Sequence, residues 1–469
     1  VNGKIAKIFF VIIGILLFGI VAAVTIFRYK TYSNSTYDFG IFAQMYEYMK
    51  QTGKMTTTVE RNTLLSHFGV HFSPIFYIGL PIYMIFPSAI TVQVIQAIMV
   101  ALPIIPIVLL CRHYKLSNWI TVAVTLIYAL YPATAGGTFY DIHENCFLTF
   151  FLLLTIYFVE KKKDIPAIIC MLLVFFVKED AAAYIMIVGA YFLFSRRDKK
   201  RGIIMIILSA IYFVVALSVV NSYGLGVLDD RFANLYADPN GGLGQVFKTI
   251  IANPAYVIAQ MISNADATGM DKIQYLLLMI VPMATMLFAT GKKYSRYILM
   301  APFLVFNVFT TYLYLHDVGF QYNFGVIALF MYLVIMNISE MDYKKARTVA
   351  GISVICTSIM FFGTTYPRIN HYGEKYSTDK AKIEKINKGI EMVPRTASVA
   401  VSGFFMPHLS RNLDVYDQTH LKEVKEMEYL VVDERGQEEK EKFDEVLATG
   451  KYELIYHEDN LISVYHKKQ

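Results

Sequence analysis

Basic residues fall almost entirely in alternate loops between apolar segments, and this pattern constrains the fold more than any other feature of the chain. These loops carry Lys4/Lys7, Arg112/Lys115, Lys161 to Lys163, Arg196 to Arg201, Lys292/Lys293/Arg296 and Lys344/Lys345/Arg347. Loops rich in lysine and arginine between membrane spans stay on the cytoplasmic side. The pattern therefore predicts a multi-pass membrane protein whose other loops lie at the extracytoplasmic face.

Eleven apolar runs alternate with these loops, most of them near the roughly 20 residues that a helix needs to cross a bilayer. The predicted spans are residues 5–27, 90–111, 118–136, 145–160, 164–178, 180–195, 202–220, 273–290, 296–315, 321–339 and 347–363. An odd number of spans places the N-terminus in the cytoplasm and the C-terminus outside the plasma membrane. With 56% hydrophobic residues, the chain is not a soluble globular protein, and the cytoplasmic loops account for its net charge of +6. No nucleic-acid partner is predicted.

Two long outer segments interrupt the predicted transmembrane domain, residues 1–363. In the first outer loop, 28–89, the amphipathic stretch from Phe39 to Lys50 predicts a helix in the interface plane. Pro74 to Phe86 is apolar but too short to cross comfortably, which predicts a second interfacial or re-entrant helix. The second outer loop, 221–272, is rich in glycine, asparagine and aspartate.

Residues 364–469 form a polar C-terminal segment, predicted to be a small extracytoplasmic α/β domain. Helical patterns cover Ser377 to Met392 and Gln437 to Ala448. Short β-rich runs lie between and after them, at 397–402, 414–416, 429–433, 452–456 and 461–465.

Ionisable residues collect in the outer loops and at the outer ends of spans, where such groups indicate a functional site by default. The candidate site residues are Asp38, His67, His71, Asp141, His143, Glu144, Lys178, Glu179, Asp180, His316 and Asp317. Together they predict an outward-facing pocket covered by the first outer loop and the C-terminal domain.

Each group has an alternative interpretation. Asp38 precedes a predicted helix, so it is either a general base or the N-cap of that helix. His67 and His71 stand four residues apart, a spacing that permits a shared metal, but no glutamate follows the first histidine and contact with a ligand is favoured. Asp141, His143 and Glu144 form either an acid/base or divalent-cation cluster, for Mg²⁺ or Mn²⁺, or a solvated turn.

Lys178, Glu179 and Asp180 interrupt an apolar stretch, residues 164–195. Basic residues at both of its ends favour a hairpin over one long helix, and the three charges then lie at the outer turn. They form either an internal salt bridge or a site for phosphate or hydroxyl groups. No phosphate-binding loop or dinucleotide fingerprint is present, so a substrate that arrives already activated, such as a lipid-linked sugar phosphate, fits best.

Several motifs together resemble the DUF2079 family of predicted membrane proteins, which is similar to the GT-C superfamily of integral-membrane glycosyltransferases. The motifs are YDFGIFAQ (37–44), SHFGVHFSP (66–74), LPIY (80–83), LYP (130–132), the turn at 141–144, VKED (177–180) and MPHLSRN with VYD (406–417). The resemblance implies a polyprenyl-phosphate sugar donor, Asp38 as the base that activates an acceptor hydroxyl, and Lys178, His67 and His71 as contacts of the donor phosphate.

The predicted function is therefore transfer of a sugar from a polyprenyl-phosphate carrier to an extracytoplasmic glycan, lipid or protein. The alternative is a membrane transporter or lipid flippase. A transporter would spread polar groups through the membrane depth and often repeat one half of the chain in the other. Here the polar groups stay at one end and no repeat is visible, which favours the transferase. An envelope scaffold, the third option, leaves the submerged charges unexplained.

Overall fold

The computed structural model describes residues 3–34, 36–224, 229–236, 238, 244–263, 269–289, 293–418 and 425–468. Lys292 and parts of the predicted second outer loop lie outside these ranges. Within the described ranges, five helical stretches are long and apolar enough to cross a membrane: Gly3–Lys30, Ala89–His113, Lys199–Ser222, Gln321–Ile338 and Tyr343–Thr378. The chain is a multi-pass membrane protein, and the count of eleven spans stays a prediction.

The α-helices before the C-terminal segment are α1 (Gly3–Lys30), α2 (Ile41–Thr52), α3 (Leu80–Ile85), α4 (Ala89–Ala101), α5 (Ile104–His113), α6 (Asn118–Leu130), α7 (Pro132–Gly136), α8 (Leu148–Glu160), α9 (Asp164–Phe175), α10 (Ala181–Phe194), α11 (Lys199–Ser222), α12 (Gly244–Ala252), α13 (Pro254–Gln260), α14 (Lys272–Ile280), α15 (Ala284–Leu287), α16 (Phe324–Ile338), α17 (Tyr343–Met360) and α18 (Tyr366–Thr378). Shorter 3₁₀ turns are Glu60–Asn62, His67–Gly69, Pro74–Ile78, Glu144–Phe147, Asp229–Leu235, Val281–Met283, Tyr294–Met300, Leu313–His316, Gln321–Asn323 and Met406–Leu409. The π-helical turns are Thr36–Gly40, Phe303–Val308 and Phe361–Thr365.

Helix α16 is the centre of the bundle because every one of its residues is buried. A helix that is apolar all round must be enclosed by other helices. By contrast, α1 and α11 bury one stripe each and expose isoleucine, leucine and valine on the other side, as lipid-facing helices do. Helices α10 and α11 approach closely at Gly189 and Gly202, where a Cβ on Gly202 would lie 2.7 Å from the Gly189 carbonyl oxygen.

The predicted hairpin at 164–195 is confirmed as two separate helices, α9 and α10, joined by residues 176–180. The ninth predicted span differs from expectation, because its backbone is the 3₁₀ turn Tyr294–Met300 followed by the π-helical turn Phe303–Val308. Pro302 lies between them and has no N–H to continue a regular helix. Irregular backbone at membrane depth is tolerated when protein surrounds it, and Phe303, Asn307 and Val308 are buried.

The last apolar helix continues well beyond a bilayer's thickness. Tyr343–Thr378 has 36 residues, which is about 54 Å at about 1.5 Å per residue against a hydrocarbon core of about 30 Å. Its second half, α18, is polar and leads directly into the C-terminal segment. The domain boundary predicted at residue 363 falls inside this helix, at the π-helical turn Phe361–Thr365, and the division into two domains stays a prediction.

The C-terminal segment is built on a five-stranded sheet, in agreement with the predicted pattern of helices and strands. Its elements are α19 (Lys380–Glu391), β3 (Val399–Val401), β4 (Val415–Asp417), β5 (Tyr429–Asp433), α20 (Gln437–Ala448), β6 (Tyr452–Glu458) and β7 (Ile462–Lys467), whereas β1 (Thr56–Thr57) and β2 (Leu65–Ser66) pair in the first outer loop. The strand order is β4-β3-β5-β7-β6. Strands β4, β3 and β5 are parallel, and β7 and β6 are added antiparallel.

The first outer loop packs into one face of this sheet. Tyr32 and Val59 belong to the same apolar core as Ile386 of α19 and Val399 of β3. Helix α20 covers the opposite face through Phe443 and its neighbours. The sheet therefore completes its core with residues from the loop between the first two long helices.

Helix α2 joins the loop, the bundle and the C-terminal segment. Gln44 is fully buried, and its carboxamide accepts bonds from Thr57 Oγ1 at 2.5 Å and Thr58 N at 2.9 Å. Tyr48 OH donates to the carbonyl of Leu413 at 2.7 Å. His408 lies between the rings of Tyr29 and Tyr32, with both centroid distances 4.0 Å. These contacts hold the C-terminal segment against the loop that contains Asp38.

Candidate functional site

Asp38 lies in the π-helical turn Thr36–Gly40, directly before α2, and is half-buried. Its φ angle is 41°, in the left-handed region that costs a non-glycine residue free energy and is common at functional sites. The N-cap of α2 is Gly40, and no side chain accepts a capping bond there. The interpretation of Asp38 as an N-cap is therefore wrong, and its carboxylate is left for another role.

The two loop histidines face carboxylates rather than each other. His67 Nδ1 lies 2.9 Å from Glu60 Oε2, and His71 Nδ1 lies 2.9 Å from Glu179 Oε1. Glu179 also accepts a bond from the backbone N–H of Phe72 at 3.1 Å, which ties the first loop to the turn between α9 and α10. The histidine ring centroids are 6.1 Å apart.

A buried ion pair lies beside these histidines. Lys178 Nζ is 3.2 Å from Glu144 Oε1, and both side chains are 0% exposed. The other carboxylate oxygen, Glu144 Oε2, is 3.0 Å from His143 Nδ1. The phenyl ring of Phe42 contacts both His67 and His143, with centroid distances of 5.5 and 5.7 Å. Residues from two distant loops and a helix turn therefore meet in one place.

Aromatic and cationic side chains from later in the chain complete the arrangement. Tyr322 lies under the guanidinium of Arg231, 5.2 Å from its ring centroid, and near the ammonium of Lys178, at 5.9 Å. The adjacent Gln321 donates to Asp38 Oδ2 at 3.5 Å, a long contact. We use the name polar cluster for the following residues: Asp38, Glu60, His67, His71, His143, Glu144, Lys178, Glu179, Arg231 and Tyr322.

Asp180 adjoins the polar cluster at the start of α10, where it is half-buried and its side chain makes no capping bond to that helix. Glu60, Arg231 and Tyr322 were absent from the sequence candidates. Arg231 could have been identified from the sequence, because a cation in an outer loop is an exception to the positive-inside rule. Glu60 and Tyr322 carried no such signal, since isolated polar residues in loops are common.

The charge state of the polar cluster follows from its burial. Desolvation, reinforced by the charge of Glu144, raises the pKa of Asp38 to about 8. Burial opposes charge on His67, but the adjacent Glu60 carboxylate outweighs it and raises the pKa of that imidazole. Desolvation lowers the pKa of His71 well below its usual value. His67 is thus the imidazole of the pair that gains a proton more readily, and its buried Nε2 has no hydrogen-bond partner in the described part of the chain.

Asp141 lies at the same end of the bundle but has structural partners. Its Oδ1 accepts bonds from Asn34 Nδ2 and, at 3.0 Å, from Gln93 Nε2, and Arg28 Nη1 lies 3.5 Å away. Asp141 has a φ angle of 77° in the turn that follows α7. It links the end of α1 to α4.

His316 and Asp317 face other neighbours than the polar cluster. The His316 ring contacts Tyr275 of α14, with centroids 6.5 Å apart. Asp317 Oδ1 accepts a bond from the backbone of Gly319 at 2.6 Å, and its charge interacts with Arg368 of α18. Among the described residues, no group of three or more His, Cys, Asp and Glu side chains is placed to hold a metal ion.

The fold is similar to that of ArnT from Cupriavidus metallidurans. The structure bound to undecaprenyl phosphate matches with a TM-score of 0.61 and 10% identity, covering 99% of this chain and 98% of that one. The apo structure matches with a TM-score of 0.54 and 10% identity, covering 96% and 97%. No curated protein sequence matches the chain.

The chain is a multi-pass membrane protein whose fold is similar to that of ArnT. The family model described as predicted membrane protein (DUF2079) matches residues 28–463. The chain belongs to the DUF2079 family.

Proposed function

We propose that this protein is a membrane glycosyltransferase that moves a sugar from a polyprenyl-phosphate-linked donor to an extracytoplasmic glycan, lipid or protein, with Asp38 as general base. The observation that carries the proposal is the polar cluster, in which a strained, half-buried carboxylate adjoins buried cationic groups. The architecture shared with ArnT bound to undecaprenyl phosphate supports a lipid-linked donor. Likeness of fold does not fix the substrate, so the assignment depends on the site.

In the proposed reaction Asp38 accepts the proton of the acceptor hydroxyl as its oxygen attacks the anomeric carbon. The bond from that carbon to the phosphate oxygen breaks, and the electron pair leaves with the polyprenyl phosphate. Attack from the opposite side inverts the configuration at the anomeric carbon. The transition state has oxocarbenium character, so negative charge develops on the departing phosphate and cationic donors stabilise it.

Three groups of the polar cluster suit the departing phosphate. The Glu60 carboxylate favours protonation of His67, and its Nε2, which has no partner among the described residues, is available as a donor. Lys178 and Arg231 add positive charge near the Tyr322 ring. Such charge-assisted hydrogen bonds to phosphate are stronger than neutral ones. A divalent cation, Mg²⁺ or Mn²⁺, would neutralise the same charge and belongs to the tests of this proposal.

The proposed orientation follows the basic loops. They support an orientation with the N-terminus in the cytoplasm and with the first outer loop and the C-terminal sheet on the extracytoplasmic side of the plasma membrane. A transferase on that side has no access to cytoplasmic nucleotide sugars. The lipid carrier supplies the activated sugar instead.

The proposal is tested by incubating the purified protein with a panel of radiolabelled polyprenyl-phosphate sugars and candidate acceptors, with EDTA and with added Mg²⁺ or Mn²⁺. We expect one donor to be consumed, with its label transferred to an acceptor. The same donors in proteoliposomes test the transporter alternative, because a flippase moves the intact donor between leaflets. Translocation without consumption of any donor would contradict the transferase.

We expect kcat/KM for transfer to rise about tenfold per pH unit below pH 8 and to level off above it. Burial and Glu144 raise the pKa of Asp38 to about 8, so only a small fraction of the carboxyl is ionised at pH 6. The base must be ionised to act, and the rate therefore increases as pH rises. Rates measured from pH 6 to 9 check this, and a profile that is flat or falls over that range would reject Asp38 as the titrating base.

A further inference from the structure

Two adjoining cavities open at the end of the bundle opposite to the polar cluster. One has a volume of about 240 Å³ and is lined mainly by apolar side chains of α8, α9 and α11. The other has a volume of about 440 Å³ and is lined mainly by charged residues of the two basic turns at 160–162 and 196–201. Val159 and Arg201 line both, so the two cavities are neighbours with opposite character.

The apolar cavity opens toward the membrane. Ala167 and Met171 form its buried wall on α9. Ile168 and Ile204 line it as well and are exposed by 42% and 39%, so they lie at its mouth. On a lipid-facing surface, a crevice of this size between helices is filled by a hydrocarbon chain, because an empty apolar void loses dispersion contacts.

The charged cavity carries an excess of positive charge. Arg196 is fixed by Glu160 at 2.7 Å, and Arg201 by Asp164 at 2.7 Å and Asp198 at 2.9 Å. The cavity is also lined by Lys162, Arg197 and Lys199. Within the described part of the chain, none of these three has a carboxylate at ion-pair distance. The five cations exceed the three carboxylates Glu160, Asp164 and Asp198 by two, so the region keeps a net positive charge.

We propose that these two cavities form one binding site for an anionic phospholipid, whose acyl chain occupies the apolar cavity and whose phosphate lies among the basic side chains. Basic pockets between membrane helices on the cytoplasmic side recognise anionic headgroups in this way. A soluble anion would use only the charged cavity, and a zwitterionic lipid would gain little from the excess charge. The site does not depend on the proposed transferase activity.

The experiment measures lipid binding to the full-length protein in detergent by native mass spectrometry, with phosphatidylglycerol, phosphatidylcholine and inorganic phosphate as probes. We expect phosphatidylglycerol to bind at least tenfold more tightly than phosphatidylcholine, and inorganic phosphate to compete only weakly. Three basic residues near the membrane surface together account for about a hundredfold in affinity for an anionic lipid. The variant Lys162→Ala/Arg197→Ala/Lys199→Ala is therefore expected to bind phosphatidylglycerol about a hundredfold more weakly.

The matched control is Lys344→Ala/Lys345→Ala/Arg347→Ala, which removes the same charge from a basic loop that lines neither cavity. We expect it to bind phosphatidylglycerol as the unaltered protein does. Ala167→Phe fills the apolar cavity and is expected to weaken phosphatidylglycerol binding while leaving phosphate competition unchanged. Each of three results would overturn the proposal. The control variant could lose as much phosphatidylglycerol affinity as the cavity-lining triple variant, the cavity-lining triple variant could bind phosphatidylglycerol undiminished, or inorganic phosphate could compete as well as the lipid. If Ala167→Phe does not fold, the two charge variants decide.

Discussion

Replacing Asp38 with asparagine is expected to lower sugar transfer by about a thousandfold or more, since general-base catalysis contributes about 10²–10⁴-fold. Asparagine has nearly the same size and can still accept the contact from Gln321, but it cannot take the acceptor proton. Removing a half-buried carboxyl whose pKa is raised also removes a desolvation cost, so the variant is expected to fold at least as well. Transfer assays with the donor identified from the panel, together with thermal unfolding, provide both readouts.

Asp317→Asn is the matched control for Asp38→Asn. Asp317 lies at the same end of the bundle, but its carboxylate oxygen accepts the backbone N–H of Gly319, and an asparagine oxygen can do the same. We expect transfer by this variant to stay within about threefold of the unaltered protein. Undiminished transfer by Asp38→Asn would remove Asp38 as the base, whereas a large loss in Asp317→Asn alone would move the site away from the polar cluster.

Lys178→Met is expected to destabilise the protein by about 3–5 kcal/mol and to abolish transfer. The substitution leaves Glu144 buried without its cation, and both side chains are 0% exposed. The double variant Lys178→Met/Glu144→Gln removes both charges, so we expect it to regain most of the lost stability. It is still expected to be inactive, because the cation that would hold the donor phosphate is missing.

Thermal or chemical unfolding of the single and double variants separates the two roles of Lys178. Lys50→Met is the control, since Lys50 pairs with Glu47 at 3.4 Å but is 28% exposed, and an exposed pair contributes about 1 kcal/mol or less. If the double variant folds and transfers sugar at an ordinary rate, Lys178 is only a structural partner of Glu144. If it stays as unstable as the single variant, the ion pair is not what stabilises this region.

The parts of the fold that could be predicted depend on local patterns. Charge alternation indicated which chain segments share an end of the bundle, and the separation of α9 from α10 followed from it. The strands of the C-terminal sheet were visible as short β-rich runs, which depend on residues close in sequence. The irregular backbone of residues 294–308 was not predicted, because hydropathy indicates burial in lipid and carries no information about the hydrogen-bond pattern of the backbone.

The sequence indicated how deep in the membrane each site residue lies. It did not indicate which of these residues are neighbours around the bundle. His67 and His143 are brought together by Phe42 of α2, whose ring contacts both imidazoles, and this arrangement depends on the packing of the whole bundle. His316 and Asp317 share that depth but face α14 and α18 instead. Position along the membrane normal is encoded in charge and hydropathy, whereas position around the bundle depends on packing between distant helices. The catalytic and binding assignments therefore stay predictions.

The stacking of His408 between Tyr29 and Tyr32 has a mechanical consequence. Tyr32 also belongs to the apolar core beneath the C-terminal sheet, and only five residues separate it from Asp38. A rigid-body shift of the sheet would move Tyr32, and through the short connection to Asp38 it would change the position of that carboxylate. In the proposed transferase, an acceptor that displaces the sheet would therefore also shift the Asp38 carboxylate, so acceptor binding and the position of the base would be linked through the stacked His408.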